Sequence, residues 1–120
     1  MLKEPIFKVL SLSNEDNSVT AVLEIDQVNE IFNGHFPDQP VVPGACMLQI
    51  VKEVLADALK VSLRLVKADN IKFLSLIQPS AQPLQLNIAY QLTDSDIKVN
   101  STLSSGENTY MKLQGMFTVL

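Results

Sequence analysis

The sequence has one cysteine, one histidine, few charged residues and no long apolar run. A single cysteine cannot close an internal disulfide, which fits a reducing cytoplasm. One histidine and one cysteine are too few for a structural zinc site. No apolar stretch approaches the roughly 18 residues that a membrane-spanning helix needs. Met1 to Pro5 show no apolar core of a signal peptide. A basic excess is missing too. Nine Lys and Arg stand against thirteen Asp and Glu, a net charge of −4, which disfavours a nucleic-acid binder. Repeats, low-complexity tracts and linkers are absent. What is present is 47% apolar and 18% charged residues in a chain of 120. That is one folded domain over residues 1–120, not a disordered segment.

Patterning divides the chain into short strands around one helix. Residues 5–12 are apolar and β-leaning, and Asn14 to Ser18 read as a turn. In 19–26, Val19, Ala21, Leu23 and Ile25 alternate with Thr20, Val22, Glu24 and Asp26, as in a strand with one buried face. Residues 44–60 switch to the helical period. Met47, Leu48, Val51, Val54, Leu55, Ala58 and Leu59 share a broad face, with Lys52, Glu53, Asp57 and Lys60 opposite. Alternation returns near 65–77 and is broken between Pro79 and Pro83. Leu84, Leu86, Ile88, Tyr90 and Leu92 share a face of the next strand. Strands containing Ile97, Val99 and Leu103, and then Met111, Leu113, Phe117 and Val119, complete the chain. Hairpin-linked strands predict an antiparallel sheet with the lone helix packed on its concave face, an α+β domain.

Between the first hairpin and the helix lies the most specific segment. Pro37, Pro40 and Pro43 forbid helix and central strand there, so it is a stiff loop with a fixed path. That loop delivers His35, the only histidine, near the start of the helix. A helix N-terminus offers unpaired N–H groups and partial positive charge. Gly44 allows a ligand to approach that backbone closely. A histidine beside such an end can move a proton next to a polarised carbonyl.

From Asn29 to Gly44 the chain reads N-x-x-F-x-G-H-F-P-x-x-P-V-x-P-G. This stretch resembles the 3-hydroxyacyl-acyl-carrier-protein dehydratases of the FabZ/FabA type, which have the hotdog fold. Downstream, Asn70 to Phe73 and Gln78-Pro79 sit where that family has corresponding features. The resemblance implies an antiparallel sheet of five to six strands wrapped around one long helix. It implies protomers paired edge to edge, with active sites at the dimer interface and no metal or other cofactor. His35 would be the catalytic base that removes the C2 proton. The Gly44 N–H would hold the thioester oxygen, with Phe36 and Val42 beside it on the substrate.

The family's second catalytic residue is a Glu or Asp fourteen positions after the histidine. Here that position is Gln49. An amide can orient a hydroxyl but cannot supply a proton as an acid does. Glu53, one turn on, and Asp38, in the loop, are the substitutes to weigh, against a solvated helix face and a turn-forming role respectively. Cys46 reads as a packing residue and Tyr110 as an ordinary sheet residue. Lys60, Arg64, Lys67 and Lys72 form a local basic cluster, which the resemblance would make the docking patch for an acidic acyl carrier protein. The expected function is dehydration of a 3-hydroxyacyl thioester on that carrier to the 2-enoyl thioester. The incomplete catalytic pair points to a specialised polyketide, polyene or lipid pathway rather than primary fatty-acid synthesis. The alternative is a catalytically impaired acyl-thioester-binding protein, or one subunit of a heterodimer whose hotdog partner supplies the carboxylate. A thioesterase ranks below both. No nucleic acid or membrane partner is expected.

Overall fold

The computed structural model describes residues 7–25, 44–75, 77, 83–106 and 108–120. Six strands and one helix occupy them: β1 (Phe7–Glu15), β2 (Ser18–Ile25), α1 (Gly44–Leu59), β3 (Leu63–Phe73), β4 (Leu84–Thr93), β5 (Asp96–Ser105) and β6 (Asn108–Val119). The strands form one antiparallel sheet in the order β1-β2-β4-β5-β6-β3. Three tight hairpins join β1 to β2, β4 to β5 and β5 to β6. The helical connection carries the chain across to β3 at the far edge.

Local chemistry explains the turns. Asp16 and Asn17 both take positive φ, 51° and 59°. These are residues that tolerate the left-handed region, as a two-residue hairpin requires. At the end of α1, Lys60 has φ 57°, and the Val61 N–H donates to the Ala56 carbonyl at 3.1 Å. That is the bonding of a Schellman cap, made here without glycine. The helix therefore stops one residue earlier than its apolar period suggests.

The core lies between α1 and the inner face of the sheet. Val19, Ala21 and Leu23 of β2 are fully buried, as the alternation predicts, and Ile25 nearly so. Leu84, Leu86 and Ile88 of β4 are also fully buried, whereas Leu92, on the same alternation, lies near the strand's end and is 59% exposed. On α1 the buried residues are Cys46, Met47, Ile50, Val51, Val54 and Leu55. Cys46 and Ile50 thus widen the expected apolar face, and Leu48, Ala58 and Leu59 are only half-buried at its rim. Tyr110 is a buried sheet residue. Tyr90 is buried too, and its hydroxyl donates to Asn14 Oδ1 at 2.8 Å, tying β4 to β1.

β3 begins at Leu63 and ends at Phe73, earlier at both ends than expected, and it is bent. Its register against β6 shifts between Leu65 and Lys67 and again between Ala68 and Asn70. Gly115 of β6 faces this bend. A Cβ at Gly115 would lie 2.5 Å from the Lys67 carbonyl oxygen, a backbone atom that cannot move alone. Alanine in a strand ordinarily stabilises relative to glycine. Here the Gly115→Ala change is expected to destabilise by about 1–3 kcal/mol, as an overpacked core does. A lower urea midpoint at unchanged slope would register this, and an unchanged or higher midpoint would contradict it.

Candidate active site

The last residue of the motif, Gly44, is the first residue of α1. The first turn of α1 contains no acidic side chain. Nothing on the helix itself therefore neutralises the partial positive charge of its N–H groups. His35, Phe36, Asp38 and Val42 lie outside the described residues. Cys46 is buried in the first turn, and burial pushes its thiol pKa up. A buried, protonated thiol is a packing group rather than a nucleophile.

Gln49 and Glu53 are both exposed on α1, four residues and one turn apart. The Gln49 Nε2 donates to Glu53 Oε1 at 3.1 Å. The sequence pattern puts the two one helical turn apart and offers Glu53 only as a substitute for the acid missing at Gln49. The structure joins them. The signal available in the sequence was the i, i+4 spacing of an amide and a carboxylate.

The basic residues divide differently from the expected cluster. Lys60 follows the last residue of α1, whereas Arg64, Lys67 and Lys72 lie on β3. Register adds two more cations to β3's outer side. Lys112 of β6 stands directly opposite Lys72. Lys98 of β5 and Lys67 of β3 flank Met116 in one row. Arg64 pairs with Thr118 in the row that holds Asp96. Residues directly opposite in a sheet share a face. Arg64, Lys67, Lys72, Lys98 and Lys112, five of the nine cations, therefore lie on the outer face of β5, β6 and β3. The one ion pair among the described residues joins Lys67 to Asp69 at 3.1 Å. Lys98 and Lys112 are distant in sequence from the expected cluster, and only strand pairing brings them to it.

Residues 11–112 match the ApeI-like family, described as ApeI dehydratase. The chain belongs to the ApeI-like dehydratase family. It shares its fold with the dehydratase heterocomplex ApeI:P from Xenorhabdus doucetiae, with a TM-score of 0.75 and 20% identity over 92% of this chain and 96% of that one. A homologue of HP0420 from Helicobacter felis matches with a TM-score of 0.70 and 13% identity, over 97% and 89% of the two chains. These likenesses agree with the hotdog fold implied by the loop. Shorter stretches match curated FabZ proteins named 3-hydroxyacyl-[acyl-carrier-protein] dehydratase. Identity is 41% over 39 residues with that of Janthinobacterium sp. (strain Marseille), covering 32% of this chain and 25% of that protein. It is 35% over 49 residues with that of Francisella tularensis subsp. novicida (strain U112), covering 41% and 30%. Each match thus spans less than a third of the FabZ relative. Among the described residues no helix is long and apolar enough to cross a membrane, and no cluster of His, Cys, Asp and Glu has metal-holding geometry.

Proposed function

We infer that the chain removes water from a 3-hydroxyacyl thioester on an acyl carrier protein, leaving the 2-enoyl thioester. The observation that carries this reading is the start of α1 at Gly44, where the His-containing loop ends in an ApeI-like chain. The reaction is a redox-neutral elimination. It needs a base at C2, donors for the thioester oxygen as negative charge builds there, and a group to handle the leaving hydroxyl. In this reading His35 is the base, and the Gly44 N–H holds the oxygen with the favourable field of the helix N-terminus behind it. Phe36 and Val42 border the acyl chain, and Gln49 meets the hydroxyl.

A second protomer belongs to this reading. β3 is a sheet edge; Leu65 and Phe73 in it and Leu74 just beyond it are exposed, Phe73 by 52% and Leu74 by 50%. An unpaired apolar edge favours a covering partner. That partner is a second copy or another hotdog chain. The ApeI:P heterocomplex is a structural neighbour with two kinds of chain.

The cationic outer face of β5, β6 and β3 supports an acidic carrier as the substrate's bearer, since the chain as a whole is acidic. Turnover of the same 3-hydroxyacyl group on a carrier protein and on a small thiol tests this. Lys98→Glu with Lys112→Glu is expected to raise KM for the carrier-borne substrate about 10-fold at low salt, an effect near 1.4 kcal/mol. The small thioester should be unaffected. Lys112 faces Lys72, so its reversal also removes a like-charge cross-strand pair. Equal effects on both substrates would remove the carrier from the reading.

A further inference from the structure

The hydrogen bond between Gln49 and Glu53 has a chemical direction. A carboxylate only accepts, so the NH₂ end of the Gln49 amide must face Glu53, as the 3.1 Å Nε2···Oε1 contact has it. The other end of the amide is the carbonyl oxygen, which has no partner among the described residues. We propose that Glu53 is a positioning residue. It fixes the Gln49 amide so that the carbonyl oxygen, an acceptor, is presented to the leaving hydroxyl, and a single histidine then serves the whole elimination. This rests on the dehydratase reading above.

The bond changes balance without a second acid. The C3 hydroxyl donates its hydrogen to Gln49 Oε1, which turns an oxygen lone pair away from the amide. His35 takes the C2 proton, and the C2–H electrons form the C2=C3 bond as the C3–O bond breaks. The imidazolium returns that same proton to the departing oxygen, which leaves as water, and the histidine is neutral again. Were the amide reversed, its NH₂ would donate to one of the hydroxyl oxygen's two lone pairs, and the hydroxyl hydrogen would lose the acceptor that turns the other lone pair toward the imidazolium. Glu53 excludes that orientation because it cannot donate to the carbonyl end.

Glu53→Gln is close in shape but can both donate and accept, so the amide at position 49 is no longer held one way. The wild type, Glu53→Gln, Gln49→Ala and the double variant are compared on a small 3-hydroxyacyl thioester, with the partner chain present if turnover needs it. Glu53→Gln is expected to lower kcat about 10-fold at unchanged KM and unchanged melting temperature, the low side of a catalytic-group loss. In the Gln49→Ala background the same change should do nothing, since Glu53 acts only through the amide. Two results overturn the inference while leaving the dehydratase reading intact: wild-type kcat in Glu53→Gln, or a further loss in the double variant, which would make Glu53 an acid in its own right. Absence of turnover in the wild type, alone and with a hotdog partner, overturns both.

Discussion

Replacing His35 with alanine is expected to abolish dehydratase turnover while leaving the fold in place. In the sequence the residue follows Gly34 and precedes Phe36-Pro37, and it is not one of the α1 residues that carry the core. Its loss removes the base that takes the C2 proton, and a positioned base contributes about 10²–10⁴-fold. If one imidazole both takes and returns the proton, the loss belongs at the upper end, because both transfers disappear together. The measurement is enoyl-thioester formation from a saturating 3-hydroxyacyl thioester, alongside a melting curve. A variant that melts normally and retains turnover within a few-fold of wild type would remove His35 from the mechanism. A variant that melts many degrees lower would mean that the loop carries stability as well, and the comparison would then pass to His35→Gln, which keeps a polar side chain of similar bulk.

The fold was largely legible because its signals are local. Alternation at Val19, Ala21 and Leu23 and at Leu84, Leu86 and Ile88 marks strands with one buried face, and all six side chains are fully buried. The helix period marked α1 to within a residue. What could not be read depends on long-range pairing. Nothing in 65–77 announces the two register shifts in β3, beside which Gly115, more than forty positions later, leaves room for the Lys67 carbonyl. Lys98 and Lys112 join the β3 cations only through strand order. The helix stop at Lys60 was hidden for another reason. A lysine is an unusual residue at positive φ, so the cap carries no glycine signature. In the candidate site, the position of Gln49 followed from spacing alone. Its bond to Glu53 depends on rotamers that spacing permits but does not dictate.

Restoring a carboxylate at position 49 should have the largest opposite effect. Glu and Gln are nearly the same shape, so Gln49→Glu brings little steric change to a side chain that is already exposed on α1. Its electrostatic consequence is set by Glu53, whose Oε1 lies 3.1 Å from the present amide nitrogen. Both side chains are exposed, so the repulsion between two carboxylates one turn apart is weak, and the pair holds a proton only slightly longer than an isolated carboxylate would. The cost to the helix is a like-charge i, i+4 pair once that proton is lost, about 0.2–0.5 kcal/mol. The gain is a proton donor where the hydroxyl leaves. Turnover of the chain by itself is expected to rise 10-fold or more, toward the lower part of the roughly 10²–10⁴ that such a group supplies. The pH dependence should change shape along with the rate. A single histidine base gives one limb, rising as the imidazole loses its proton. A second, falling limb should appear in the variant where the shared proton of the pair is lost, because the acid must then be protonated to act. Gln49→Glu in the Glu53→Gln background separates the two contributions: the introduced carboxylate is no longer paired with another, its proton leaves at slightly lower pH, and the falling limb moves down with it. If the rate of Gln49→Glu alone does not exceed that of the wild type, with or without a hotdog partner chain, the missing acid is not what limits this protein.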